Sequence, residues 1–397
     1  MNSRMIVPVC LLIVGGFSIY AGVNWYNQRG SDMQAESSAD EPDGVSDQAD
    51  PETPLAPASL PPLPATTPLT LNLTVGERFP LIKTVQQTLK QPSPQGGWTL
   101  SHSNLELLLS ITVEEVRAVP LGKDQPGVKR LGVKYHRVRF TQDVPGNEAD
   151  YDSDHPPRAV PLALQAYHGL RDNGFQFWLD EKNQIVEVVG FDQFLTRCLR
   201  GVPPDQRAKV RAIVESTSGA DGVANFIDNS IGALPNERVR ENDSWQSRKK
   251  ILQPVPMWVD NVFTLRKLEK DVASIDIMGT ITGGNTLALP LKAVNLQEFE
   301  DPSKPSDLIA IEIDSGHSAG SCLIDRRSGL PRQSKVEQTL QMNVRLPGNI
   351  SFRQEKTTVT TIGIFAAQTA NPATVIGGER NEANGIRRAS AEAPARN

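Results

Sequence analysis

The feature that most constrains this chain is an almost unbroken apolar run near its amino terminus, from Met5 to Tyr26. About 20 apolar residues can cross a bilayer, and in lipid a helix satisfies its own backbone hydrogen bonds. Trp25 and Tyr26 close the run, where amphipathic rings favour the membrane interface. We therefore predict an uncleaved transmembrane signal anchor at residues 5–26. A cleaved signal peptide is the alternative, but it has a shorter apolar core and a small-x-small cleavage site.

Charge predicts the orientation of this anchor. Arg4 precedes the run and Arg29 follows it, and from residue 31 to residue 52 every charged side chain is acidic. Because Lys and Arg are retained on the cytoplasmic side, residues 1–4 are expected inside the cell and the bulk of the chain on the periplasmic, extracytoplasmic side. The net charge of −5 shows no basic excess, so we expect no nucleic-acid partner.

Two segments lack the apolar periodicity that a folded element needs. Residues 27–68 are acidic and then rich in proline, and residues 368–397 contain mostly Asn, Ala, Gly and Arg. Such sequences cannot bury enough apolar area to offset the entropy of ordering. The first is predicted to be a disordered linker and the second a disordered tail.

The residues between these segments alternate with period two, which predicts strands with one buried face. Leu105 to Val113 is one such stretch, and Ala273 to Gly279 is another. A helical block separates the two β-rich regions. We place β-rich half 1 at residues 69–190, the helical segment at 191–235 and β-rich half 2 at 236–367.

Three helices are predicted in this helical segment, and one before it. The first follows Asp192, which we expect to act as its cap, and ends at Gly201. The second covers residues 206–216, and the third begins at Asp221. A shorter helix is predicted at residues 161–170, with Pro161 in its first turn.

Two local patterns recur in the same order on either side of the helical segment. Val75–Phe79 is matched by Glu241–Trp245: each has a turn residue, an acid and an aromatic that begins a strand. The hairpin Phe177–Ile185 is matched by Cys322–Leu330, and each contains an Asp before its turn. We predict an internal duplication, with an inserted loop at Pro145–Arg158 in the first half. Chance similarity between hairpins is the alternative.

The predicted fold class is α+β: two duplicated antiparallel β-rich halves with a short central helical layer, plus one amino-terminal transmembrane helix. Two arrangements stay open. The halves form one curved, half-barrel-like sheet with helices on its concave side, or they form two separate sheets.

The same motifs carry a resemblance to a known group. The chain resembles an uncharacterised family of bacterial, planctomycete-type exported or lipoprotein-like envelope proteins of unknown function, and the resemblance covers most of the folded body. The chain departs from it in lacking a lipobox, since Cys10 is not preceded by small residues. Because the family has no assigned activity, the resemblance implies no functional residues. The matching pieces are Tyr151–Ser153, Val188–Asp192, Leu234–Pro235, Asp243–Trp245 and Gly329–Pro331.

The densest acidic cluster is a weak candidate for a calcium loop. Asp150, Asp152 and Asp154 alternate as the first ligands of an EF-hand loop do. His155 then stands where a glycine is required, and Pro161 where the bidentate glutamate should be. A solvated loop is the favoured interpretation, and we expect no metal or other cofactor.

The remaining candidate chemistry is sparse. Cys198 and Cys322 could form a disulfide outside the cytoplasm, and two buried free thiols are the slightly favoured alternative. The five histidines are scattered without zinc-ligand spacing, and the GxSxG motif of serine hydrolases is absent. The sequence therefore predicts no catalytic residues.

These observations favour a non-catalytic protein. The leading hypothesis is a membrane-anchored extracytoplasmic binding or structural envelope protein, with the membrane and either a lipid or an envelope protein as its partners. One alternative is an extracytoplasmic hydrolase whose site is assembled from distant strands. A second is a carrier or sensor that holds a lipid or a peptide in a concave sheet.

Overall fold

A computed structural model describes residues 66–93, 96–119, 127–143, 148–205, 207–208, 211, 234–251, 256–283, 287–290, 308–346 and 350–367. Within these residues, thirteen antiparallel strands form one sheet. The strands are β1 Arg78–Pro92, β2 Trp98–Val116, β3 Lys129–Asp143, β4 Ala149–Asp152, β5 Gly174–Leu179, β6 Ile185–Val189, β7 Ser244–Ile251, β8 Met257–Leu268, β9 Val272–Gly283, β10 Leu287–Pro290, β11 Leu308–Asp325, β12 Pro331–Leu346 and β13 Ile350–Ile364.

The two β-rich regions join at their first and last strands. The order across the sheet is β6-β5-β3-β2-β1-β13-β12-β11-β9-β8-β7, while β4 pairs with β3 and β10 pairs with β11. The β1–β13 ladder runs from Leu81 opposite Ile364 to Lys90 opposite Glu355. The meander therefore returns to its own first strand, and the path of described strands ends at β6 on one side and β7 on the other. One continuous curved sheet is correct, and the alternative of two separate sheets is wrong.

Side-chain alternation produces these strands as the sequence predicts. In β9, Ala273, Ile275 and Ile277 are buried on one face, while Met278, on the other face, is exposed. In β3 the buried phase changes from Tyr135 to Val138, because a bulge lies opposite Leu108 and Leu109. The extra residue in β3 lets both its halves bury their apolar side chains on the same face.

Two helices lie among the described residues: α1, Leu162–His168, and α2, Phe191–Cys198. The capping prediction for α2 is wrong. Its N-cap is Gly190, with φ 74°, and Asp192 lies in the first turn without making a side-chain cap hydrogen bond. The helix also ends at Cys198, before the predicted Gly201. Pro161 is the N-cap of α1 instead of a first-turn residue. Most of the predicted helices 206–216 and 221 onward lie outside the described residues.

Both helices pack against the same face of the sheet. The ring of Tyr167 in α1 stacks on Phe140 of β3 with centroids 5.0 Å apart. The ring of Phe194 in α2 lies 5.2 Å from Phe175 of β5 and is fully buried. Truncating a buried aromatic side chain of this size typically costs about 3–5 kcal/mol. The helical layer therefore stabilises the first β-rich half.

The turns that precede β1 and β7 make the same hydrogen bonds. Gly76 has φ 87° and its N–H donates to Val113 O at 2.9 Å, while Asn242 has φ 72° and its N–H donates to Leu265 O at 2.6 Å. The partner strand returns a hydrogen bond in each half: the N–H of Val113 donates to Glu77 O at 2.9 Å, and that of Leu265 to Asp243 O at 3.0 Å. The carboxylates of Glu77 and Asp243 also accept the N–H of the residue three positions earlier in the chain.

The two matched hairpins are also built alike. Oδ1 of Asp180 accepts two backbone N–H groups of its turn, and Oδ1 of Asp325 does the same. The left-handed position is filled by Asn183, φ 61°, in one turn and by Gly329, φ 77°, in the other. A Cβ at Gly329 would lie 2.2 Å from the carbonyl oxygen of Thr70, so that turn requires glycine. These matches support the duplication, which stays a prediction.

Several predicted segments fall outside the described residues. They are the cytoplasmic end 1–4, the anchor 5–26, most of the linker 27–68 and the tail 368–397, while the first described residue is Thr66. Within the part of the chain that the structure describes, no helix has the length and apolar character needed to cross a membrane. The insertion predicted as a loop at 145–158 contains the short strand β4, so that part of the prediction is wrong.

Candidate ligand-binding site

The face of the sheet that carries the helices is concave. Paired residues on neighbouring strands share a face, and so do alternate residues along each strand. Lys83 of β1 and Lys249 of β7 both lie on this face by that rule. Burial, and then the positive charge of Lys249, lower the pKa of Lys83 to about 8. In a flat sheet β1 and β7, which are six places apart, would lie about 29 Å from each other. Because the charge of Lys249 nevertheless acts on Lys83, the sheet curves toward the side that carries both lysines, and we call this side the concave face.

Two buried apolar clusters occupy one end of the concave face. The larger includes Phe79, Leu109 and Phe177 together with residues of α2, and the smaller includes Ile275 and Phe263. Toward the other end of the strands a further set is buried on the same face, with exposures of 8 % or less. Its members are Leu89, Ile251, Met257, Val259, Ile281, Ile311, Ile313, Leu340, Met342 and Val344.

A band of partly exposed side chains lies between these buried regions. Its apolar members include Val85, Leu105 and Leu107, none of which is fully buried. A row of small or polar residues runs beside them, because successive strands pair them in exact lateral register. The polar row consists of Ser247, Asn261, Gly279, Ser318, Gln338, Thr358, Gln87, Ser103 and Gln142.

Gly279 allows two members of the polar row to meet across a strand. The hydroxyl of Ser318 donates to Oδ1 of Asn261 at 2.8 Å, although β9 lies between their strands. A Cβ at Gly279 would lie 2.3 Å from that Oδ1 and 2.5 Å from the Ser318 Oγ. Glycine is therefore required for this hydrogen bond, which satisfies a serine that is only 1 % exposed.

The concave face carries positive charge without a compensating acid in its own strands. By the pairing register, Lys83, Lys249 and Lys356 lie on this face, and no Asp or Glu of the described strands does. Lys83 and Lys249 each make contacts within the chain. Lys356 lies between Leu89 and Leu340, and burial alone lowers its pKa to about 8. The described residues offer its ammonium no hydrogen bond or ion pair.

A small buried polar cluster surrounds Leu89, beside Lys356. Ser101 lies opposite Leu89 on β2, and Gln354 lies two residues from Lys356 on the same face of β13. Nε2 of Gln354 donates to Oε1 of Gln91 at 3.0 Å. Oγ of Ser101 and Oε1 of Gln354 are buried, and neither has a hydrogen-bond partner among the described residues; each of the two residues is 2 % exposed. Unsatisfied polar atoms at this depth are rare in native proteins.

The acidic cluster that suggested calcium is held by arginine. Asp152 accepts two hydrogen bonds from the guanidinium of Arg137, which holds the pKa of Asp152 at about 2. Asp154 lies 3.3 Å from the same guanidinium, and its N–H donates to Asp152 at 3.0 Å. Asp150 pairs with Thr141 at the start of β4. The start of the loop is therefore anchored to β3 on the convex face, while residues 154–159 are exposed.

Cys198 and Cys322, the cysteines among the described residues, are buried as free thiols and do not pair. Cys198 belongs to the cluster around α2, and Cys322 to the smaller cluster. Burial raises the pKa of both thiols to about 12. The structure shows the free-thiol alternative, and both side chains act as small apolar residues.

A polar groove with a volume of about 570 Å³ adjoins β2, β3 and β5 on the convex side. Beside it, Nε2 of His136 lies 2.9 Å from Oγ of Ser110 and 2.9 Å from a guanidinium nitrogen of Arg78. Burial, then the charges of Arg78 and Lys134, lower the pKa of His136. The sequence did not reveal this cluster, because Arg78, Ser110 and His136 come from three different strands.

A second cavity, of about 1160 Å³, lies where the chain enters and leaves the sheet. Phe79, Leu330 and Ile364 of the larger apolar cluster line it. Arg326 at its rim donates to the Lys270 carbonyl at 3.1 Å, and Arg332 is paired with Asp325 at 2.7 Å. Space of ligand size therefore adjoins the core beneath the concave face.

The chain belongs to a protein family. Residues 126–331, about half of the chain, match DUF6263, a family of unknown function. No curated protein matches the chain.

Two solved structures show distant similarity. A structure described as lipid-protein interactions in lipovitellin is 9 % identical, with TM-score 0.38, and covers 76 % of this chain. This chain spans only 26 % of that lipovitellin. An outer membrane channel from Pseudomonas putida F1 is 8 % identical, with TM-score 0.18, and covers 77 % of this chain and 100 % of its own. Similarities this low carry no conclusion about function.

Proposed function

We propose that this chain is a membrane-anchored extracytoplasmic binding protein that holds an apolar or amphipathic small molecule on its concave face. The observation that carries the proposal is the band of partly exposed apolar side chains between two buried regions of that face. Val85, Leu105 and Leu107 lie there beside a continuous polar row. Partly apolar concave surfaces with a few convergent polar groups are typical of small-molecule sites.

The location in this proposal rests on the sequence. The apolar run 5–26 and the acidic stretch after it favour an anchor with the body outside the cytoplasm. The resemblance to exported envelope proteins supports the same location. A tethered carrier or sensor of lipid would use the acidic and proline-rich linker 27–68 as a spacer.

Tryptophan quenching tests whether an acyl chain reaches the concave face. Trp245 lies on this face with its ring 5.9 Å from Phe263, whereas Trp258 lies on the convex face with Arg248 4.8 Å above its ring. A brominated acyl alcohol is added to the full chain in phosphatidylcholine nanodiscs. We expect saturable quenching that Trp245→Phe removes in part and that Trp258→Phe leaves intact.

The matched pair separates binding from partition into the membrane. Bromine that partitions into the bilayer quenches both variants to the same extent, because neither position is in the predicted anchor. Equal quenching in Trp245→Phe and Trp258→Phe would therefore contradict the proposal.

Hydrolysis is the second candidate, favoured by the contact between Ser110 and His136. A serine hydroxyl 2.9 Å from Nε2 of a histidine has the spacing of a nucleophile and its base. Arg78 contacts the same nitrogen, and Ser110 is only 2 % exposed, so this serine is a poor nucleophile. A fluorophosphonate probe checks this candidate: labelling that Ser110→Ala abolishes would support hydrolysis over simple binding.

A further inference from the structure

We infer that the ligand is a long-chain carboxylic acid, and that the ammonium of Lys356 and the hydroxyl of Ser101 bind its carboxylate. This inference deepens the proposed function and rests on it. It concerns the head of the ligand, whereas the proposed function concerns only where its chain lies.

The first argument is the unbalanced charge of Lys356. The side chain lies in an apolar frame made by Leu89 on β1 and Leu340 on β12, each buried. Lys356 is half-buried, and a cation that loses part of its water is costly unless an anion or several acceptors compensate for the loss. Since the described strands place no carboxylate on this face, a bound acid is the partner that the site lacks.

The second argument is the pair of unsatisfied polar atoms beside this lysine. Ser101 lies across Leu89 from Lys356, so both side chains project from the same face two strands apart. The Ser101 hydroxyl is buried and has no partner in the part of the chain that the structure describes, so it can donate to one carboxylate oxygen while the ammonium donates to the other. The unpaired Oε1 of Gln354 can accept a further ammonium hydrogen, which would fix the lysine in place.

The third argument concerns the chain of the ligand. The row next to Lys356 and Leu89 contains Thr358 and Gln87, and the row beyond contains Val85 and Leu105, which are partly exposed. An acyl chain that starts at Lys356 can therefore extend along the strands into the partly exposed band. A monocarboxylate brings one negative charge, which matches one unpaired lysine.

Photo-crosslinking with two matched probes tests the inference. The full chain in phosphatidylcholine nanodiscs is exposed to a diazirine analogue of hexadecanoic acid, or to the corresponding hexadecanol. We expect the acid to label peptides of β1, β12 or β13 more strongly than the alcohol. Lys356→Met should weaken acid labelling about tenfold, the loss of one charge-assisted contact, and leave alcohol labelling unchanged. Ser101→Ala should weaken acid labelling in the same direction.

Lys335→Met is the control, because Lys335 lies on β12 with an exposed side chain on the convex face. It should leave labelling by both probes unchanged. Equal labelling of these strands by acid and alcohol, unaffected by Lys356→Met, would overturn the carboxylate inference and leave the proposed function standing. Labelling confined to the amino-terminal segment for both probes would overturn the proposed function itself. A melting curve of each variant checks that it folds. If Lys356→Met does not fold, Ser101→Ala still tests the site.

Discussion

Gly279→Ala should be among the most damaging single-methyl changes in the sheet. The new Cβ would lie 2.3 Å from Asn261 Oδ1, 2.5 Å from Ser318 Oγ and 2.9 Å from the Asp260 carbonyl oxygen. All three distances are shorter than any ordinary contact of a Cβ, so the side chains must separate and the 2.8 Å hydrogen bond must break.

The expected cost follows from two effects. Ser318 is 1 % exposed, and a buried hydroxyl that loses its partner costs about 1–3 kcal/mol. Crowding against the Asp260 backbone costs a further ~1–3 kcal/mol. The reduced entropy of the unfolded chain offsets about 0.4–1 kcal/mol. We therefore expect the free energy of unfolding to fall by about 1–6 kcal/mol, with the middle of the range at about 3 kcal/mol, measured by urea denaturation of the full chain.

Gly363→Ala is the matched control, because Gly363 also lies within the sheet but its Cβ would meet nothing closer than the Arg332 carbonyl oxygen at 4.0 Å. We expect a change of at most about 1 kcal/mol there. A double-mutant cycle sharpens the test. In a Ser318→Ala background the Oγ clash is gone, so Gly279→Ala should cost less than it does alone. Equal effects of Gly279→Ala and Gly363→Ala would refute the argument.

Three further results are expected. Lys356→Met should raise the melting temperature of the ligand-free chain at pH 7, because no bound acid then compensates the ammonium. Burial lowers the pKa of this lysine to about 8 in the folded state, so wild-type stability rises relative to the variant as pH increases from 8 toward 10.5, and a pH series of melting temperatures on the ligand-free chain checks this. Cys198 and Cys322 should resist thiol reagents at pH 8 until urea unfolds the chain, because burial raises each thiol pKa to about 12; peptide-level labelling that modifies them in the folded chain would contradict this. Asp152→Asn should lower stability at neutral pH, with the difference from wild type shrinking as pH falls from about 4 to 2, whereas a chelator should not change the melting temperature, because Arg137 already binds that carboxylate.

Local sequence patterns predicted the strands and their turns well, because those features depend on neighbouring residues. The Asp180 and Asp325 turns have the side-chain hydrogen bonds expected of an aspartate before a reversal. The exposed Met278, next to the buried Ile277, likewise follows from simple alternation. In β3, Leu131, Val133 and Tyr135 alternate in one phase and Val138 and Phe140 in the other, but only the register shows that a bulge joins the two sets.

Features that depend on distant strands could not be predicted in this way. The polar row needs the register of eight strand pairs, and the single sheet depends on β1 meeting β13. One sequence feature could have identified Lys356 as unusual. It lies in the same alternating phase of β13 as Ile362 and Ile364, where an apolar, buried residue is expected. The contact of Arg137 with the acidic cluster was not predictable for a related reason, since Arg137 reaches Asp152 from another strand.

Native mass spectrometry of the full chain, released from nanodiscs, tests the central claim most directly. If the concave face holds an amphipathic acid, the chain should carry a noncovalent adduct that survives gentle activation and is lost on denaturation, and its fragments should identify an acyl acid. Added hexadecanoic acid should replace it, and Lys356→Met should reduce its occupancy. A bare chain under all conditions, which also fails to bind added acid, would contradict the account.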